Sequence, residues 1–204
     1  MYAMMYTRPD ICHAVGLISR FQANPGFTHY NAVKRIFRYV KKTTDYLLCY
    51  QAPDLLLVGY SDVDWGDDPD ECKSTLCYAF LLNGGAITWC SKKQIFVPLS
   101  TMEAEYVAGS ATVQEGVWLR KFLWEFSIVA RAQELYCDSS ATIVYSKDPK
   151  YHGKTKHIDT RYHFVRHMIV RKEVILRHIS TSVMVADPLT KPILVRLIRL
   201  MSRV

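Results

Sequence analysis

The chain has 204 residues, half of them hydrophobic, which is enough for one full domain with an appendage and a substantial core. Lys and Arg outnumber Asp and Glu by 26 to 19, a net charge of +7 that fits a polyanionic partner as readily as a basic surface with no ligand. The six cysteines, at 12, 49, 72, 77, 90 and 137, contain no Cys-x-x-Cys pair and argue against zinc and against a disulfide framework, and no apolar run is long enough to span a bilayer.

The N-terminus, MYAMMYTRPD, lacks a basic start followed by a long apolar stretch, so the expected setting is intracellular, cytoplasmic or nuclear, and not secreted. Pro9 opens a helix over residues 9–22 with Ile11, Val15 and Ile18 on one face, and Pro25-Gly26 ends it. Thr28 is placed to cap a second helix whose buried stripe is Val33, Ile36, Phe37 and Val40, with basic residues largely on the other side. After a short strand over 46–50, residues 51–54 read as a connector, and a domain boundary falls there. Leu55 to Asp62, LLLVGYSD, then reads as a strand buried on both faces and ending on an acid.

Thr75–Leu82 and Ala86–Ser91 form a hairpin about Asn83, Gly84 and Gly85. Residues 100–126 change to helical period, and Gly116 is a candidate break between two helices. A strand over Glu134–Asp138, a helix over Ala141–Lys147, a longer helix over Lys156–Val170, a strand over Glu173–Ile179 and a terminal helix over Ser182–Thr190 complete the order. The fold class is α/β: three strands, helices, strand, helices, strand, helix, after a small helical segment.

Four acids sit where such a fold brings them together: Asp62 ending a strand, Glu105 early in a helix, Asp138 closing another strand, and Asp187. Carboxylates on rigid elements suit Mg2+, with Mn2+ as the alternative, because hard cations take oxygen ligands. Each acid also has a plain structural reading. Asp62 could merely end its strand, Asp138 could cap the next helix, and Pro188 biases Asp187 away from helical geometry. Asp64 fits a turn, His163 and His167 fit a solvated helix face, and Trp89 fits the core rather than a stacking platform. Ser100 and Glu103 have the spacing of a capping box, in which Glu103 reaches back to the Ser100 amide.

The motifs YSDVDWG, KST, NGGAITWCSKKQ, STMEAEYVA, YCDSSATI, KTKHIDTRYHF and ADPLTKP resemble the ribonuclease H domain of copia-type long-terminal-repeat retrotransposons. The leading residues, from TRPDICHAVGLISRF to DYLLCY, resemble the tail of the reverse transcriptase that precedes that domain in the polyprotein. The resemblance implies a reverse-transcriptase remnant at 1–50, a ribonuclease H-like mixed-sheet domain at 54–192 and a tail at 193–204. It puts Asp62, Glu105, Asp138 and Asp187 on the metal-binding acids of that family, holding two Mg2+ ions for hydrolysis of the RNA strand of an RNA/DNA hybrid. Lys92, Lys93, Lys154, Lys156 and Arg161 are the candidates for hybrid backbone contacts, since phosphates dominate nucleic-acid affinity.

The implied partners are the hybrid and an upstream reverse transcriptase, with no membrane and no small-molecule cofactor; no polymerase activity is expected. Against the family pattern, Cys72 replaces a basic residue, Leu76-Cys77 a Ser-Gly pair, Pro98 an Ala, and Ser139-Ser140 an Asn-Gln pair. The alternatives to an active nuclease are a fragment that binds hybrid without cleaving it and an interaction module built on the basic N-terminal helices.

Overall fold

The computed structural model describes residues 1–50, 55–66, 72–128, 132–147, 156–191 and 202–203, with the backbone alone over 156–162 and 202–203. Helix α1 (Tyr2–Tyr6), absent from the sequence reading, leads into a 3-10 turn at Pro9–Ile11 and helix α2 (Cys12–Ser19), so the single helix expected over 9–22 is divided. Pro9 has no amide hydrogen to give a preceding turn, and the chain enters it from a non-helical Arg8. Helix α3 (Phe27–Lys42) is capped by Gly26, not Thr28: the Gly26 amide donates to His29 Nδ1 at 2.9 Å. None of its residues is fully buried, and Phe37 is exposed, because α3 packs on α2 rather than into the main core. The short strand β1 (Tyr46–Leu47) pairs antiparallel with β7 (Ser202–Arg203). Most of the expected 193–204 tail and the 51–54 boundary lie outside the described residues.

A five-stranded mixed sheet follows. Strands β2 (Leu57–Asp64), β3 (Thr75–Leu82) and β4 (Gly85–Lys93) form an antiparallel meander, and β5 (Gln133–Cys137) and β6 (Val174–His178) add parallel to β2 in the order β4-β3-β2-β5-β6. This is the mixed α/β arrangement expected from the sequence. The β3–β4 turn has Asn83 at φ 55° and Gly84 at φ 80°, the two positive angles that a tight hairpin turn matching strand twist demands.

Helix α4 (Thr101–Glu125) runs unbroken through Gly116. That glycine serves close packing instead: a Cβ there would collide with the buried side chain of Gln133 on β5. Helices α5 (Ser140–Lys147) and α6 (Lys156–Val170) connect β5 to β6. The expected terminal helix is two 3-10 turns, Thr181–Val183 and Asp187–Leu189. Pro188 is accepted in the second because it sits in the first turn, where no amide donor is needed.

Both faces of the sheet are covered. On one, Phe80, Leu57 and Leu135 pack with Tyr106, Val113 and Val117 of α4 and Val165 of α6. On the other, Cys77, Ala79 and Ala86 meet Cys12 of α2 and Leu189, with Trp89 and Tyr46 at the margin. The N-terminal segment therefore lies against the sheet. Trp89 Nε1 donates to the Met4 carbonyl at 2.7 Å, and the Tyr50 hydroxyl donates to the Ala86 carbonyl at 2.9 Å. Trp89 is thus a margin-of-core residue. Within the segment, the buried Arg8 forks onto Asp10, with 2.6 Å from Nη2 to Oδ2, and donates through Nη1 to the Thr43 carbonyl at 3.2 Å.

Candidate metal centre

Asp62 is not the last residue of its strand. Pairing with β3 continues through Asp62↔Cys77 to Asp64↔Thr75, so Asp62 lies within a paired stretch of β2 and Asp64, not a turn residue, ends the strand. The parallel register Ser61↔Cys137 sets Asp62 beside Asp138, the first residue beyond β5. Glu105 enters from the first turns of α4, whose start is fixed by Ser100: its hydroxyl accepts from the Glu103 amide at 3.2 Å. Glu103 reaches back one residue further than expected, its carboxylate accepting from the Leu99 amide at 2.7 Å and not from Ser100. Pro98, a departure from the family pattern, leaves this helix start intact. Asp187 arrives on the 3-10 turn, tied down by Ser91, whose hydroxyl donates to the Leu189 carbonyl at 2.7 Å.

Two of the carboxylates are perturbed by burial and by neighbouring acids. Burial is the main force pushing Asp62 up to about 7, reinforced by the charges of Asp138 and Asp187. Burial also pushes Glu105 up to about 8, with Asp138 and Asp62 adding to it. Glu105 Oε2 is buried with no hydrogen-bond partner. The ligand atoms of Glu105, Cys137 and Asp138 lie within 4.8 Å of one another. Burial drives the Cys137 thiol up to about 12, so it stays protonated at neutral pH and is a poor ligand for a hard ion. An oxygen-only donor set containing a buried, unpartnered carboxylate oxygen fits a hard divalent cation.

Polar neighbours orient this set. Asp138 does not cap α5; Ser139 does, its hydroxyl accepting from the Thr142 amide at 3.2 Å, while Asp138 Oδ2 accepts from Thr181 Oγ1 at 2.9 Å. Two residues carry roles that the sequence reading did not assign. Thr190, fully buried, directs its hydroxyl between Asp62 Oδ2 at 3.2 Å and the Asp187 carbonyl at 2.8 Å. Lys191 places Nζ 3.3 Å from Asp187 Oδ1; burial opposes its charge, but Asp187, Asp62 and Asp64 outweigh that and hold its pKa above the ordinary value. The four-residue spacing of Asp187 and Lys191 within ADPLTKP was the available signal.

Lys92 and Lys93 end β4, where Lys93 pairs with Thr75, itself opposite Asp64; at about 4.8 Å per strand, Lys93 lies roughly 10 Å across the sheet from Asp64. Lys154 lies outside the described residues, and Lys156 and Arg161 are described only in their backbone. His163 and His167 are exposed on α6.

No family model matches the chain. It is 49% identical over 191 residues to the retrovirus-related Pol polyprotein from transposon TNT 1-94 of Nicotiana tabacum, an alignment covering 94% of this chain and 14% of that protein. Its homologues are copia-type retrotransposon Pol polyproteins. The chain thus corresponds to about one seventh of the length of such a Pol polyprotein. A further relative, secreted RxLR effector protein 161 of Plasmopara viticola, is 49% identical over 120 residues, 58% of this chain and 84% of that one. Among solved structures, LC11-RNase H1 in complex with RNA/DNA hybrid aligns over 65% of this chain and 92% of its own at 18% identity and a TM-score of 0.47. Among the described residues, no helix is long and apolar enough to cross a membrane.

Proposed function

We propose that this segment of a copia-type Pol polyprotein is a ribonuclease that hydrolyses the RNA strand of an RNA/DNA hybrid. The observation that carries the reading is a pair of buried carboxylates, Asp62 pushed up to about 7 by burial and then by Asp138 and Asp187, and Glu105 pushed up to about 8 by burial and then by Asp138 and Asp62. A fold that gathers charges in this way retains an unfavourable field unless a cation joins them. Asp62, Glu105, Asp138 and Asp187 would hold the divalent pair; when bound, such ions activate water and stabilise the leaving 3′ oxygen of an in-line displacement.

The chain's own contribution is positioning. Sheet pairing fixes Asp62, the Ser100 cap fixes the start of the helix carrying Glu105, Thr181 holds Asp138, and Ser91 with Thr190 holds the Asp187 turn. Lys92 and Lys93, with Lys154, Lys156 and Arg161, are proposed to meet backbone phosphates, which supply affinity without sequence preference. The departures from the family pattern leave all four acids in place, and Cys77 is absorbed into the core beside Cys12 and Ala79.

The test is cleavage of an end-labelled RNA/DNA hybrid with Mg2+ or Mn2+, compared with Asp62→Asn. The reading requires metal-dependent products with 5′ phosphates from the unmodified chain and none from the variant, with hybrid binding kept in both. Equal cleavage by the two would refute it. Binding with no cleavage by either would favour the alternative of a binding-only fragment.

A further inference from the structure

The two residues that follow the Asp187 turn do different things. Thr190 fixes the backbone: its amide donates to the Asp187 carbonyl at 3.1 Å, and its hydroxyl is shared between that carbonyl at 2.8 Å and Asp62 Oδ2 at 3.2 Å. Ser91 holds the Leu189 carbonyl at 2.7 Å, and Leu189 is fully buried. The turn that carries Asp187 is thus held without any contribution from Lys191.

Lys191 meets the side chain instead. Its Nζ is 3.3 Å from Asp187 Oδ1, and the two partners differ in exposure: the Asp187 side chain is 5% exposed and that of Lys191 42%. Burial works against the lysine's charge, while Asp187, Asp62 and Asp64 favour it. An ammonium held at one oxygen by a flexible stem that stays partly in solvent can leave without moving the backbone. Asp187, nearly buried on a fixed turn, cannot follow it.

This placement sets up a competition. Asp187 is one of the acids proposed to hold the divalent pair, so the ammonium already stands at an oxygen that a divalent ion would use, and like charges that close at a partly buried acid oppose each other. The same ammonium has a second destination, because a phosphate brought to the centre is an acceptor that a lysine binds well as a point charge.

We propose that Lys191 is the resident counter-cation of the centre: it sits on Asp187 and lowers the affinity for a divalent ion there until a substrate phosphate takes the ammonium over. This rests on the nuclease reading above and adds to it a regulation that the acids alone lack, in which hybrid and divalent ion each strengthen the other's binding. A purely structural tie is the weaker account of the contact, since Thr190, Ser91 and Leu189 already hold the turn.

The test is calorimetric titration of Mn2+ into the full chain at low ionic strength, alone and with a hybrid of DNA and 2′-O-methyl RNA, which offers the phosphates without a cleavable strand. Without the hybrid, Lys191→Gln is expected to bind Mn2+ about tenfold more tightly than the unmodified chain, and Lys191→Arg to stay within about threefold of it because the charge is kept. With the hybrid, the advantage of Lys191→Gln is expected to fall to within about threefold, because the phosphate has then drawn the ammonium of the unmodified chain away from Asp187.

A structural role predicts the opposite sign, so equal or weaker Mn2+ binding by Lys191→Gln would overturn the proposal while leaving the carboxylate centre standing. An advantage of Lys191→Gln that persists undiminished with the hybrid would remove the transfer to phosphate and overturn it too. Absence of Mn2+ binding by the unmodified chain and by both variants would bring down the metal reading itself, and this proposal with it.

Discussion

Replacing Asp62 by Asn is expected to stabilise the metal-free protein while removing its response to metal. Asp62 is almost wholly buried, and its carboxyl is raised from 3.8 to about 7, chiefly by burial and then by Asp138 and Asp187. A carboxyl raised in the native state holds a proton that the unfolded chain has already released. Its contribution to stability is therefore complete below about pH 4 and is lost as pH rises through about 7. At about 1.4 kcal/mol per pH unit, the raised carboxyl makes the native state less stable, relative to pH below 4, by on the order of 4 kcal/mol at pH 8 and roughly 1.5 kcal/mol at pH 5. Asn has the same shape, carries no charge and can still accept from Thr190, so the variant escapes this cost.

The advantage of Asp62→Asn over the unmodified chain should thus widen by about 2–3 kcal/mol between pH 5 and pH 8, or roughly 5–10 °C in melting temperature for a chain of this size. The assay is thermal unfolding followed by circular dichroism at the two pH values, in chelator and again in excess Mg2+ or Mn2+. In metal the order should reverse at pH 8, since the ions favour ionised carboxylates and the variant lacks one of them. A variant less stable than the unmodified chain at pH 8 in chelator would refute the reasoning, because it would mean that the fold favours the charged form of Asp62.

Glu105→Gln is expected to fold normally and lose metal-dependent hybrid cleavage, whereas Glu103→Gln keeps cleavage, because Gln can still accept from the Leu99 amide; melting temperature and cleavage on both variants decide it. Arg8→Met leaves Asp10 charged and buried, and is expected to cost about 3–5 kcal/mol in urea unfolding at pH 7. Unchanged stability would mean that the pair is solvated in solution. Thr190→Val should lower stability by about 1–3 kcal/mol and weaken Mn2+ binding measured by calorimetry, and Thr190→Ser should restore both. Equal Mn2+ affinity in all three would remove Thr190 from the centre's support.

The sequence was most legible where a local rule and the tertiary context agree. Asn83-Gly84 announced the hairpin because its backbone angles are those only such residues take easily, and the acid-ended apolar runs announced two of the adjacent strands that position Asp62 and Asp138. Boundaries were less legible where a partner extends an element. The pairing of Asp64 with Thr75 carries β2 past the acid that seemed to end it, and the packing of Gln133 against Gly116 turns a suspected break into a close contact. The contact of the N-terminal segment with the sheet left little trace, because much of it is made by Cys12, Cys77, Ala79 and Ala86, residues too small and scattered to form a periodic stripe. The contact of Thr190 with Asp62 was missed because it spans a separation of 128 residues.

These contacts bear on which part of the chain supports the centre. Asp187 lies on a three-residue turn, too short to hold a charged side chain in place by its own backbone bonds. Its rigidity comes from outside: Thr190 beneath it, Ser91 from β4 on the Leu189 carbonyl, and Leu189 itself, fully buried in the cluster that contains Cys12 of α2. The same face of the sheet carries Asp62 in register with Cys77 and Ser91, so the packing that seats α2 also seats the strand residues beside the acid. A buried carboxylate repelled by its neighbours moves unless its backbone is fixed, and here the backbone is fixed from both sides of the sheet. On one side stands α4, which brings Glu105; on the other stands the N-terminal segment, packed directly onto the sheet that carries Asp62.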